Sequence, residues 1–144
     1  MLVTIEPLNK NKLKQEIDTI LSIDAHTPGE KWSAENFYLD LPEKWTLSLS
    51  LLTEGSVVGF LIASFKNTAI HIHRLAVLKK YQKKGFGKLL IDELIKHARR
   101  LKVNRLTLKV ARVNIPGIAF YTRLGFVLTK SENLNDWMEI TFSE

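Results

Sequence analysis

The order of segments along the chain predicts an α+β domain built on a mixed sheet. Antiparallel hairpin signals come first, and a strand–helix–strand crossover follows them. No internal repeat, linker or low-complexity tract interrupts the 144 residues, so one domain over 1–144 is expected.

Taken in order, "LVTIEPL" (2–8) reads as a first strand. "NKNKLKQEIDTILSID" places Leu13, Ile17, Ile20 and Leu21 close to helical spacing. "AHTPGEKW" is a loop by its Pro-Gly pair, and Ser33 is the expected N-cap of a helix over "AENFYLDL". "WTLSLSLLT" alternates and predicts a strand. Glu54-Gly55 turns it into the returning strand "SVVGFLIASF". "NT" (67–68) is another turn before a central strand, "AIHIHRLAVL". The helix "GKLLIDELIKHARRL" carries one apolar face of Leu89, Leu90, Leu94, Ile95, Ala98 and Leu101. "VNRLTLKV" is a strand, "NIPGIAFYTRLGF" a short helix stopping before Gly125, and "DWMEITF" a closing strand. The expected order is β-α-α-β-β-β-α-β-α-β-β.

Composition removes several classes of chemistry. The chain is 45% hydrophobic and 25% charged, enough for one real core. It has no cysteine, which excludes disulfides, thiolate metal sites and cysteine nucleophiles. His26, His71, His73 and His97 form no metal-ligand set by spacing, so no metal is expected. No apolar run approaches the ~20 residues that span a bilayer, and the N-terminus lacks the basic-then-apolar order of a signal peptide. A cytoplasmic protein, monomer or homodimer, without membrane contact is the expectation.

The formal net charge of +6 is unevenly spread. Lys79, Lys80, Lys83, Lys84 and Lys88 surround "YQKKGFGKLL" (81–90), and no acid follows until Asp92. Interior glycine costs a helix roughly 1 kcal/mol and clustered lysines repel, so a closely held anion is the expected compensation. The opening turn of a helix offers amides without intrahelical partners at the positive end of its dipole. Gly85 and Gly87 would let a phosphate approach them. The stretch is no P-loop, and Leu90 stands where a dinucleotide fingerprint needs glycine. A nucleic-acid-binding module would spread basic residues along a recognition helix with stacking aromatics. Here they gather at a turn, so no nucleic-acid partner is expected.

"LAVLKKYQKKGFG" followed by a helix resembles the acetyl-CoA-binding motif of the GNAT superfamily of N-acetyltransferases. Gln82, Lys83, Lys84, Gly85, Phe86 and Gly87 satisfy its Arg/Gln-x-x-Gly-x-Gly/Ala pattern. The family's second signature, Asn followed by a short helix ending in Tyr-x-x-x-Gly-Phe, is matched by Asn114, Tyr121, Gly125 and Phe126. The resemblance implies a splayed mixed sheet of about six or seven strands with about four helices. It implies acetyl-CoA in the cleft between the "LAV" and "LTLKV" strands. Leu75, Ala76 and Val77 would pair with the pantetheine arm, and the amides of residues 82–88, Lys88 included, would hold the pyrophosphate.

The implied reaction is direct attack of a primary amine on the thioester. It needs a neutral amine, a donor for the thioester oxygen and a proton for the leaving thiolate. The amide of Val77 suits the oxygen. Tyr121 is the candidate acid, since the family's matching tyrosine lies near the cofactor sulfur. Asn114, seven residues earlier, shares nearly the same helix face and could both cap the helix and contact the cofactor. In histone-acetylating relatives a glutamate lies four residues before the "LAV" segment. His71 stands there, and His73 shares its strand face, so either histidine is a candidate base.

The acceptor is open between a small amine and a peptide or protein amine. "TPGEKWSAENFYLDL" resembles the acceptor-side region of N-terminal acetyltransferases, with His26, Trp32 and Tyr38 as candidate wall residues. Those enzymes often carry a glutamate where this chain has Lys109. A non-catalytic acetyl-CoA sensor of the same fold is the alternative.

Overall fold

The computed structural model describes residues 2–143. Its chain order is β1 (Val3–Pro7), α1 (Lys10–Asp24), α2 (Ala34–Tyr38), α3 (Lys44–Leu47), β2 (Leu49–Thr53), β3 (Ser56–Lys66), β4 (Ala69–Val77), α4 (Phe86–Arg100), β5 (Arg105–Ala111), α5 (Ile115–Leu124), β6 (Val127–Glu132) and β7 (Asn135–Thr141). A single 3₁₀ turn, Lys79–Tyr81, leads from β4 towards α4. The strands form one sheet in the order β1-β2-β3-β4-β5-β7-β6. Among the described residues only β4 and β5 pair in parallel. That is the strand–helix–strand crossover through α4, and the other neighbours are antiparallel.

Local chemistry sets most boundaries. Asn9 accepts a hydrogen bond from the Lys12 amide and starts α1. Ser33 and Asn36 form a capping box that starts α2. Glu54 and Gly55 both take positive φ, as a two-residue hairpin between right-twisted strands requires. Gly125, at φ 103, ends α5 in the left-handed conformation.

Helices cover the sheet on two sides. On one, Leu90, Ile91, Leu94 and Ala98 of α4 and Tyr121 of α5 pack on Leu61, Ile70, Ile72, Leu106 and Leu108. On the other, Leu13, Ile20 and Ile23 of α1 and Phe37 of α2 pack on Phe60 and Ile62. β3 therefore reads as a nearly continuous apolar run, buried on both faces.

Two expectations change. "WTLSLSLLT" does not begin as a strand, because Lys44–Leu47 forms α3 and β2 starts at Leu49. The Lys44 side chain is fully buried, with Nζ donating to the carbonyls of Phe37 and Leu39 at 2.5 Å each. Together with Glu43 at φ 60, this folds the segment into a helical turn. The alternation in β2 is not an exposure pattern either. Ser50 is buried and donates to the Glu6 carbonyl at 3.2 Å. The helix expected over "AENFYLDL" stops at Tyr38, where Leu39 turns extended at ψ 127.

Candidate active site

The centre of the sheet opens at a backbone irregularity. β4 pairs with β5 only over Ile70–Ile72. On the other side of β4, Ala63 faces Ile72 and Ile62 faces Arg74, which leaves His73 as the extra residue of a β-bulge. A bulge bends its strand and increases local twist. Here the parallel pairing ends at the residue before it. Leu75, Ala76 and Val77 therefore run on against β3 with no strand on their β5 side. A cleft follows, lined by Leu75 on one wall and Leu108–Ala111 on the other, with Asn114 and Tyr121 closing it from α5.

The bulge also resets which way side chains point. Ile70 and Ile72 face α4. Regular alternation would send Arg74 into that same core. The extra residue shifts the phase, and Arg74 turns to the α1 side. Its Nε donates to Asp24 Oδ1 at 2.7 Å and its Nη2 to Asp24 Oδ2 at 2.9 Å. Nη2 also donates to the Glu30 carbonyl at 2.8 Å, and the guanidinium lies 5.4 Å from the Trp32 ring centroid. Arg74 thus ties the 25–33 loop to β4. Gly29 brings that loop over to the opposite wall, where an added Cβ would stand 2.8 Å from Ala111 Cβ. Thr27, Glu30 and Trp32 of the loop complete the lining.

The glycine turn lies beyond the end of β4. Gly85 takes φ +83 as the N-cap of α4 and offers no side-chain cap, so the amides that open α4 are uncapped. An added Cβ at Gly85 meets nothing within 4 Å. Gly87 differs from the expectation of an open approach, because a Cβ there would stand 2.9 Å from Phe120 Cζ. It serves close packing of α4 against α5 as well. Gln82 donates from Nε2 to the Val77 carbonyl at 2.9 Å, which fixes the turn to the end of β4. Lys83 takes φ 61, and Lys83 and Lys84 are exposed. Lys88 is already paired with Asp92 at 2.7 Å. Phe86 is buried beneath the turn and stacks with Tyr81 at 6.2 Å.

The cleft gathers some of the expected chemistry and not the rest. Tyr121 and Asn114 both line it. Burial raises the Tyr121 hydroxyl above its ordinary pKa against the opposing pull of Arg74, so it stays protonated through neutral pH. Asn114 caps α5, its Oδ1 accepting from the Gly117 amide at 3.0 Å. His73 lines the cleft, and His71 lies behind it with the rings 4.8 Å apart. His71 Nδ1 sits 2.7 Å from Thr107 Oγ1, and His73 Nε2 sits 2.6 Å from Ser64 Oγ. Burial, then His73, Lys66 and Lys109, push the His71 pKa down to about 3. Burial, then Lys66 and Lys44, push His73 down to about 4. Both imidazoles are therefore neutral at pH 7.

Of the acceptor-side candidates, Trp32 lines the cleft, Tyr38 packs in the α1 core and His26 is exposed. The Arg74–Asp24 pair and Glu30 were not singled out by the sequence. A signal existed: apolar residues at 70 and 72, then at 75 and 77, slip by one in phase, which marks a bulge.

No cluster of three or more potential metal-binding side chains occurs among the described residues, and no described helix is long and apolar enough to cross a membrane.

The profile of the acetyltransferase (GNAT) family matches residues 17–126, and the chain belongs to this family. It is 30% identical over 95 residues to the [ribosomal protein bS18]-alanine N-acetyltransferase of Escherichia coli K12, covering 66% of this chain and 64% of that protein. It is 33% identical over 87 residues to the spermine/spermidine N(1)-acetyltransferase of Bacillus subtilis 168, covering 54% and 57%. The matches thus span less than two thirds of either relative's length. In fold, the chain superposes on the PaiA N-acetyltransferase of Thermoplasma acidophilum in complex with coenzyme A. The TM-score is 0.83 at 18% identity, covering 99% of this chain and all of that one.

Proposed function

We propose that the chain, as one domain over 1–144, transfers an acetyl group from acetyl-CoA to a primary amine by direct attack, in the cytoplasm. The carrying observation is the opening of β4 from β5 beside the uncapped start of α4. A strand edge without a neighbour and a set of free helix amides are what a pantetheine arm and its pyrophosphate need.

Acetyl-CoA, when bound, supplies the thioester; the chain supplies the rest. Leu75, Ala76 and Val77 orient the arm along the β4 edge, and an amide there donates to the thioester oxygen. Gln82, Gly85, Phe86 and Gly87 form the phosphate cradle, with Lys83 and Lys84 adding attraction. Lys88 contributes less, being paired with Asp92. Tyr121 holds a proton at its hydroxyl for the leaving thiolate, and Asn114 fixes the start of its helix. The histidines enter as neutral hydrogen-bond acceptors, with His73 the one that reaches the amine. With pKa values near 3 and 4 they are weak bases, which favours water as the final proton acceptor.

The test is thiol release from acetyl-CoA against peptides with free N-termini, lysine peptides and polyamines. Tyr121→Phe should lower kcat by about tenfold to a hundredfold, the low end for general acid catalysis, and leave coenzyme A affinity unchanged. A full-speed Tyr121→Phe protein refutes the acid role. Coenzyme A binding without thiol release for any acceptor refutes transfer and supports a sensor.

A further inference from the structure

The sheet face that carries the histidines extends past the cleft, over β5, β7 and β6. Trp137 sits at its centre, partly buried. Three ammonium groups ring its indole: Lys130 Nζ at 5.2 Å, Lys66 Nζ at 5.4 Å and Lys109 Nζ at 5.7 Å from the centroid. Lys109 and Lys130 are the register partners of Trp137 on the two neighbouring strands. Lys66 reaches the same ring from the end of β3.

Like charges at this spacing repel, and one indole does not neutralise three of them. The nearby acids are committed elsewhere. Glu139 pairs with Arg105 at 2.8 Å and Asp136 with Arg112 at 3.2 Å. Lys130 has Glu132 at 3.1 Å, but neither Lys66 nor Lys109 forms an ion pair among the described residues. The patch is continuous with the cleft. Lys109 lines both, and the Trp137 ring lies 6.1 Å from His71.

We propose that the acceptor is a peptide whose free α-amine is followed, within its first few residues, by acidic side chains that seat on Lys66, Lys109 and Lys130 around Trp137. This rests on the transfer reading for its chemistry, while the charge preference stands on the patch itself. Strands lie about 4.8 Å apart, so Lys109 and Lys130 are roughly 10 Å apart at the backbone. That is about three residues of extended peptide at roughly 3.3 Å each. A single carboxylate would answer one lysine only. A polyamine would bring the wrong sign to all three.

The experiment measures binding and turnover separately. Peptides that begin Ser-Glu-Glu-Glu, Ser-Ala-Ala-Ala and Ser-Lys-Lys-Lys, labelled at their C-termini, are titrated by fluorescence anisotropy with coenzyme A present. The acidic peptide should bind roughly twofold to a hundredfold tighter than the neutral one, through two or three exposed ion pairs, and lose that advantage in high salt. Lys66→Glu/Lys109→Glu changes two exposed positions and should reverse the order of acidic and basic peptides. Equal binding of all three peptides overturns the proposal. So does tighter binding of a single-stranded oligonucleotide of matching charge. Thiol release on the same peptides separates the two readings. Selective acidic binding without thiol release refutes transfer and supports the charge preference. Thiol release at equal efficiency from all three does the reverse.

Discussion

Asp24→Asn removes one charge from the pair that holds the 25–33 loop against β4. The Asp24 side chain is 2% exposed and that of Arg74 is 12% exposed, and both carboxylate oxygens accept from the guanidinium. Removing one partner of a buried ion pair costs about 3–5 kcal/mol, mostly because the other charge stays buried without compensation. A domain of this size is stable by roughly 5–15 kcal/mol, so the loss is large but survivable. It need not appear in full as global unfolding. The Glu30 carbonyl and one face of the Trp32 ring also meet Arg74, while Trp32 packs on Phe37 as well. Local opening of the loop is the cheaper release. Asp24→Asn should therefore raise KM for the acceptor by tenfold or more, while coenzyme A affinity, set on β4 and α4, changes little. Denaturant unfolding and acceptor titrations on the same preparation measure both parts. A stability loss under about 1 kcal/mol together with an acceptor KM within twofold of wild type would refute the tether.

Other consequences follow from the same structure. Gly87→Val should weaken coenzyme A binding and lower Tm, because its Cβ meets the Phe120 ring at 2.9 Å, and adding Phe120→Ala should recover part of both. Gly85→Val has open space but φ +83, so it should act through backbone strain of about 1–3 kcal/mol, with no rescue by Phe120→Ala. Burial lowers the Lys44 pKa from 10.5 to about 8 against the opposing charge of Asp40. The unfolded chain then binds the extra proton between those values, so stability should rise with pH across that window. The rise is up to about 3 kcal/mol, nearer 2 after solvent screening, and Lys44→Met should flatten it in denaturant midpoints taken from pH 8 to 10.5. Since His71 and His73 stay neutral above about pH 4, the acidic limb of kcat/KM should follow the acceptor's own amine, near ~8 for an α-amine. His73→Ala should lower the plateau without moving that limb. A wild-type limb near ~6.5 that disappears in His73→Ala would overturn the neutral-acceptor role.

What the sequence disclosed was local. The Glu54-Gly55 hairpin, the Ser33 cap and the Gly125 stop are each set within a few residues and stand in the structure; the expected apolar face of α4 holds at Leu90, Leu94, Ile95 and Ala98, while Leu89 and Leu101 are exposed and Ile91 is buried instead. The glycine turn was legible for the same reason, although the contact of Gly87 with Phe120 was not, since that ring arrives from a helix more than thirty residues later. The strand expected from Trp45 was not found at its start because the α3 turn rests on Lys44, a residue that local alternation does not single out. Its burial depends on two carbonyls offered by the end of α2. The histidines were placed correctly on one strand face. Their lowered pKa values were not legible, because they come first from burial in the folded sheet and then from neighbours such as Lys66, Lys109 and Lys44 on β3, β5 and α3.

One extra residue in β4 accounts for most of what the site has. Without the bulge at His73, pairing with β5 would have no reason to stop at Ile72, and the edge at Leu75–Val77 would be occupied by a neighbour. Without the phase shift, Arg74 would point among the apolar residues under α4, where no carboxylate waits, and Asp24 would be buried alone. The free strand edge and the loop tether therefore come from a single irregularity and cannot be altered independently by changing β4. Restoring regular alternation there would close the cleft and release the loop together. The charged patch beside the cleft is only partly tied to this irregularity, because Trp137 and Lys130 sit on β7 and β6, strands the bulge does not touch. On the reading proposed above, Lys130 on β6 is then the place where the acceptor preference can be altered with the least effect on the β4 edge.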